Sequence, residues 1–289
     1  MKSTSVSSNT RLFPGLVLAG VLACLVSPLP TLSQGATATL EFFVQATPSG
    51  GRPEKVMQHP FYLLRQSLAE IERLARGQTS APDRDAFIND LSLSDELKEW
   101  MKRTGVVDLR GDHFRQALTT DDIMAVEELR AAYLAANMSM IGLGFPRPKV
   151  KLSDRTKNPE RWERRQTKYW EKVRSYLELH PESLQHLDEQ LLDLNPGQEW
   201  AKLEWQHERA VRRETERLIY SRFLVGRTET SLQGFARFNA VPPGRYWLTN
   251  LWKEARAGDV RLRWELPVEL RPGQTLTLEL NNANARYQP

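Results

Sequence analysis

The chain has 289 residues and a formal net charge of +4, from 40 basic and 36 acidic side chains, and it holds a single cysteine. This near balance gives no electrostatic ground for nucleic-acid binding, and one cysteine excludes an internal disulfide or a thiolate metal cluster. The length suffices to bury the cores of two domains.

In chain order, the first element is a predicted leader. Lys2 and Arg11 make a basic start, and an apolar run follows from Leu12 to Leu29. Small residues then gather at Ser33, Gly35, Ala36 and Ala38. This order predicts a signal peptide over 1–36, with the mature chain starting between Ala36 and Thr39. A retained span would need about 20 uninterrupted apolar residues, and Pro14, Pro28 and Pro30 break this run. Cys24 closes Val21-Leu22-Ala23-Cys24, which looks like a bacterial lipobox, and lipidation there would tether the chain to a membrane. The apolar run continues through Leu25, Val26 and Leu29 where a tether would be polar, so Cys24 is read as an apolar residue of a discarded leader. The chain is thus expected to be exported, periplasmic or extracellular, with a lipoprotein anchored at Cys24 as the alternative. Loss of the leader removes Lys2 and Arg11 and no acid, taking the charge from +4 to +2.

Thr39 to Gln45 alternates, with Leu40, Phe42 and Val44 on one face, and predicts a strand. Val56 to Arg65 predicts a second. From about Ser67 to Ser221 the apolar period is helical. Leu68, Ile71, Leu74 and Ala75 form one stripe; Ser94 and Thr120 mark helix starts followed by acids. Asn158 and Pro159 predict a cap and first helical residue, with Trp162, Tyr169, Trp170, Val173, Tyr176 and Leu177 on the stripe. A short helix is expected through Leu184, Leu187, Leu191 and Leu192. A long one is expected from Gln198 to Ser221, carrying Trp200, Leu203, Val211 and Leu218. Strands return at Phe223–Thr230, Phe235–Phe238, Tyr246–Leu251, Val260–Val268 and Leu276–Leu280. In the fourth, Val260, Leu262, Trp264, Leu266 and Val268 face inward. Two short strands cannot make a stable sheet alone. The early strands therefore need the late ones, and residues 66–222 read as an insertion into a β-domain made of 37–65 and 223–289.

The late strands carry a turn glycine, Gly234, with Phe238 four residues on, then Val241-Pro242-Pro243-Gly244-Arg245-Tyr246, and finally Leu270-Arg271-Pro272-Gly273-Gln274-Thr275-Leu276-Thr277-Leu278. This pattern resembles the carboxypeptidase regulatory-like family, a transthyretin-like β-sandwich. Two positions depart from it: Ser231-Leu232-Gln233 replaces an acidic run, and Ala236 replaces an aromatic. The resemblance implies an α+β chain, a seven-strand Ig/transthyretin-like β-sandwich split by the helical insertion, and a binding or structural module rather than a catalyst. The helical insertion resembles no family recognised from its sequence.

No nucleophile elbow, phosphate-cradling loop or zinc-protease motif is present. Glu204 and His207 share one helix face as Glu-x-x-His, the weak candidates for a metal, but a di-iron bundle needs two such pairs and more carboxylates. The favoured reading is a half-buried histidine hydrogen-bonded to Glu204 or Glu208, and no cofactor is expected. From Phe145 to Val173 ten basic and four acidic residues leave +6. Arg147, Lys149, Lys151, Arg161, Arg165 and Lys168 are candidate partner-binding residues there, for anionic lipid or an acidic partner; the alternative is a solvated helix face. Of the eight tryptophans, Trp205, Trp247 and Trp252 have undecided facing, and Trp247 and Trp252, beside Arg245, are candidate glycan platforms. The expected function is a non-catalytic binding or scaffold protein of the cell envelope, whose partner is another envelope or extracellular protein and not nucleic acid. Membrane contact is expected only through a lipidated Cys24 or the basic patch. The alternatives are a carbohydrate-binding module and a metal-dependent enzyme built on the helical insertion.

Overall fold

The structure, a computed structural model, describes residues 36–286 apart from 142 and 150–152, and only the backbone of Asp154. The predicted leader before Ala36, including Cys24, and Lys151 lie outside the described residues. The chain is of the α+β class, 48% helical and 23% strand.

Ten strands are described. They are β1 (Ala38–Ala46), β2 (Glu54–Lys55), β3 (Pro60–Leu64), β4 (Leu224–Glu229), β5 (Phe235–Val241), β6 (Gly244–Thr249), β7 (Ala255–Ala257), β8 (Val260–Leu262), β9 (Glu265–Leu270) and β10 (Thr275–Leu280). Three of these, β2, β7 and β8, are only two or three residues long. Among the described residues nine α-helices come between β3 and β4. They are α1 (Leu68–Gln78), α2 (Arg84–Asn89), α3 (Asp95–Thr104), α4 (Gly111–Ala117), α5 (Thr120–Ala125), α6 (Glu127–Ala136), α7 (Asp154–Lys157), α8 (Pro159–Leu179) and α9 (Gly197–Leu218).

In one sheet β1 lies between β5, antiparallel, and β10, parallel, with β2 pairing to its end. A second sheet runs β4-β3-β6-β9, all antiparallel, and β7 and β8 form a separate two-stranded ribbon. The alternation of β1 decides its burial: Leu40, Phe42 and Val44 are buried, and Phe43 is exposed. Buried side chains of both sheets form one apolar cluster. At its middle the Phe42 ring sits 5.1 Å from Phe61 and 6.0 Å from Phe238, and Phe61 sits 6.0 Å from Trp264. Burial of this apolar area is the main source of stability.

Gly234 turns the chain into β5 at φ +76°, and its carbonyl accepts the Val44 N–H at 2.8 Å. A Cβ there would lie 2.8 Å from the Val44 carbonyl oxygen. Gly234→Ala combines left-handed strain with a backbone clash, and is expected to lower stability by about 2–3 kcal/mol in chemical denaturation. A change within about 0.5 kcal/mol, as at an ordinary surface position, would mean that this approach is not close. Farther on, the Tyr246 hydroxyl donates to the Pro242 carbonyl at 2.7 Å, so the start of β6 locks the preceding proline turn.

Three expectations need correction. The Val56–Arg65 strand shortens to Pro60–Leu64, because Gln58 takes φ +48° and turns the chain. Val260–Val268 is two strands, not one. At the break the Trp264 N–H donates to Asn250 Oδ1 (2.8 Å) and Arg263 Nε donates to the Leu251 carbonyl (3.1 Å), so the chain passes from β7 to β6 as its pairing partner. Leu262, Trp264 and Val268 nevertheless all remain buried. The short leucine helix is replaced by two 3-10 segments, Pro181–Leu184 and Asp188–Leu194, separated at His186 with φ +65°.

Asn250 and His59 hold this region together. Asn250 is fully buried; its Nδ2 donates to the carbonyls of Lys253 (2.7 Å) and Leu262 (3.3 Å). His59 Nε2 lies 3.1 Å from the Lys253 carbonyl and 3.2 Å from Asn250 Nδ2. Burial lowers the His59 pKa, outweighing the Lys253 carbonyl, which raises it. The unfolded chain therefore takes up this proton more readily than the folded one. Stability from neutral His59 is complete above about pH 6.5 and falls as pH drops below it toward the folded pKa. Melting temperature is expected to decline between about pH 6.5 and pH 5 in the native chain, and less steeply in His59→Gln. Equal slopes in both would remove His59 as the cause.

The helices follow their local signals. Ser67 and Glu70 form a capping box at α1. Asn158 Oδ1 accepts the Arg161 N–H at 3.2 Å, with Pro159 at the first position of α8. A second apolar cluster belongs to the helical stretch, around Trp100, Phe114, Leu129, Tyr133, Val173 and Leu177. A third joins the two parts: Leu68, Ile71 and Ala75 of α1 and Val211 and Leu218 of α9 pack with Tyr62 and Leu64 of β3 and with Leu251. The ends of the helical stretch are adjacent, since the Arg65 N–H donates to the Phe223 carbonyl at 2.9 Å.

Candidate functional site

The antiparallel pair α1–α9 sets up a groove. The inward face of each helix is apolar and lies in the third cluster. Thr215, fully buried on that face, satisfies its hydroxyl by donating to the Val211 carbonyl at 2.9 Å. The outward faces are charged and aromatic. Arg76 on α1 forks onto Glu208 on α9 at 2.6 and 3.1 Å, and this pairing holds the Glu208 carboxyl below its usual range. Both partners are exposed, so the pair adds orientation more than stability. After β6 the chain bends at Leu251 (φ +52°) and brings Trp252 to α1, where its Nε1 donates to Glu72 Oε1 at 3.0 Å.

Two tryptophan–arginine pairs line this groove. The Arg212 guanidinium lies 4.8 Å from the Trp252 ring centre, and that of Arg209 lies 4.6 Å from Trp205. Trp205 is 57% exposed. The groove holds about 330 Å³ and is also lined by Glu72, Arg76 and Glu208. Stacked arginine and tryptophan give flat, amphipathic contact area with both charge signs at the rim, as in binding hot spots. Behind Glu72 lies a second depression of about 260 Å³, lined by Leu68, Thr249, Arg263, Trp264, Glu265 and Arg286 among others. Its Glu265 side chain is 5% exposed and is already committed: it accepts the Leu68 N–H at 2.8 Å, at the start of α1, and pairs with Arg286.

The structure separates residues that the sequence grouped. Trp252 lines the groove, whereas Trp247, on β6, packs half-buried against the third cluster. Arg245 is exposed. Glu204 is exposed on α9 and His207 is half-buried; the His207 Nδ1 faces the Ser80 carbonyl at 3.1 Å, not Glu204 or Glu208. Among the described residues no group of three or more His, Cys, Asp or Glu side chains gathers to hold a metal ion. Arg147, Lys149, Arg161 and Lys168 are exposed, and Arg165 is half-buried; none lines the groove. Glu72, Arg76, Arg209 and Arg212 escaped sequence reasoning, and Glu208 entered it only as a partner for His207. The Trp205–Arg209 spacing of four residues was the available signal.

Among the described residues no helix is long and apolar enough to cross a membrane. No family model matches the chain, no curated protein is similar to it, and no solved structure matches it.

Proposed function

We propose that this chain is an exported, non-catalytic binding or scaffold protein of the cell envelope, and that it engages a protein partner in the groove between α1 and α9. The observation that carries this reading is the exposed Trp205 stacked with Arg209 beside Trp252 stacked with Arg212. Tryptophan and arginine dominate protein-binding hot spots, where rigid rings lose little entropy on burial. In this proposal the two sheets form a seven-strand sandwich of the carboxypeptidase regulatory-like kind, supported by the glycine and proline turns at Gly234 and Pro242-Pro243-Gly244. The sandwich is interrupted by a helical domain over 66–222, and export is supported by the leader-like 1–36.

The same rings favour one other ligand class, a polysaccharide stacked on Trp205 and Trp252. Fluorescence anisotropy of the dye-labelled chain from Thr37 to Pro289 separates the two. A rise on adding the protein fraction of an envelope extract, without a rise across a polysaccharide panel, is the expected outcome. A rise with a polysaccharide alone would replace the protein-partner reading by the glycan one.

A further inference from the structure

The connection from α6 to α8 exposes apolar side chains on a tethered turn. Met138–Met140 form one 3-10 turn, the Leu143 N–H donates to the Met140 carbonyl at 2.9 Å, and Ile141 bridges to Phe145. Phe145 is buried, 5.9 Å from the Tyr133 ring and 5.2 Å from Tyr176, and anchors the turn to the helical core. Its neighbours point the other way. Met138 is 66% exposed and Leu143 75%, with Met140 and Ile141 also exposed. Leu179, one helical turn beyond Tyr176, is 76% exposed. The first four protrude from a turn, and Leu179 from the end of α8.

The chain that follows is basic. Between Met138 and Asn158 there are five basic residues, Arg147, Lys149, Lys151, Arg155 and Lys157, against one acid, Asp154. Arg147, Lys149, Arg155 and Lys157 are exposed. Leu179 itself lies between exposed Glu178 and Glu182, the latter engaged by the His180 ring at 2.9 Å. Protruding leucine and methionine beside a cluster of cations are the two components of interfacial membrane binding: apolar side chains enter the acyl boundary and cations meet anionic headgroups.

We propose that the exposed side chains of Met138 and Leu143, with Arg147 and Lys149, dock on the surface of a bilayer containing anionic phospholipid. Leu143 and Met138 enter the interface, and Arg147 and Lys149 contact the headgroup phosphates. A flat basic face alone would bind by charge only; the protruding apolar side chains add a contribution that salt does not screen. This contact needs neither a lipidated Cys24 nor the α1–α9 groove.

The test is co-sedimentation of the chain from Thr37 to Pro289 with phosphatidylcholine vesicles, with and without phosphatidylglycerol. Sedimentation is expected with the phosphatidylglycerol vesicles and to weaken as salt rises. Replacing Leu143 and Met138 by Asp and Ser is expected to lower partitioning roughly tenfold. Arg147→Glu with Lys149→Glu is expected to abolish the preference for phosphatidylglycerol. All four positions are exposed, so unchanged circular dichroism verifies that the variants fold. No sedimentation with either vesicle, or equal sedimentation by the Leu143 variant, overturns the proposal. So does a Leu143 variant that binds vesicles normally but fails to capture a protein from envelope extract, which would make the turn a protein interface.

Discussion

Trp264→Ala is expected to destabilise the chain by about 3–5 kcal/mol. The ring is 1% exposed and packs 6.0 Å from Phe61 in the cluster shared by the two sheets. Its Nε1 donates to the Asn281 carbonyl at 3.0 Å, so truncation leaves both a cavity and an acceptor without its donor. The backbone at the same residue accounts for a second bond, to the fully buried Asn250, which survives the substitution. The loss should therefore come from the side chain alone. It is read as a drop in the denaturant midpoint at an unchanged slope, which marks a loss of stability without a change in the unfolded state. A loss under about 1 kcal/mol would mean that the ring is not the centre of this core.

The second large effect concerns the boundary between sheets and helices. Arg65 and Phe223 are hydrogen-bonded neighbours, so a short Gly-Ser linker can join them without distorting either strand. The product is nevertheless expected not to fold cooperatively. Removing 66–222 takes away α1 and α9 and uncovers Tyr62, Leu64 and Leu251. Burial of three such side chains is worth about 5–9 kcal/mol, comparable with the whole stability of a typical domain, roughly 5–15 kcal/mol. Excising only 82–203 behind a short Gly-Ser linker keeps α1, the later part of α9 and the third cluster. The ends then lie close, since Ser80 touches His207. This shorter chain is expected to keep a β-rich circular dichroism spectrum and a cooperative melt. A cooperative, β-rich product from the 66–222 excision would show instead that the sheets stand without α1 and α9.

Local physics made much of this fold legible. The strict alternation at β1, the Asn158–Pro159 start of α8 and most of the apolar stripe of α1 depend on residues close in the chain and appear where their pattern places them, though Leu74 of that stripe is exposed. What escaped depends on distant partners. Nothing near Trp264 tells the chain to leave one ladder for another; Asn250 does, fourteen residues earlier. The facing of Trp247 stayed undecided because the apolar cluster it packs against is assembled from segments far apart in sequence. Trp205 was ambiguous for the reverse reason: a helix stripe does not say which flank a second helix will cover. The charged lining of the groove arises only when Arg76 and Glu208, 132 positions apart, meet across α1 and α9.

The most direct test of the binding role is capture from envelope extract by the tagged chain from Thr37 to Pro289, native against Trp205→Ala, quantified by mass spectrometry. Trp205 is exposed, so the variant should fold as the native chain does. The expected result is one dominant protein enriched by the native chain and lost with the variant. Equal enrichment by both, or no protein enriched by either, would contradict a protein partner in the α1–α9 groove.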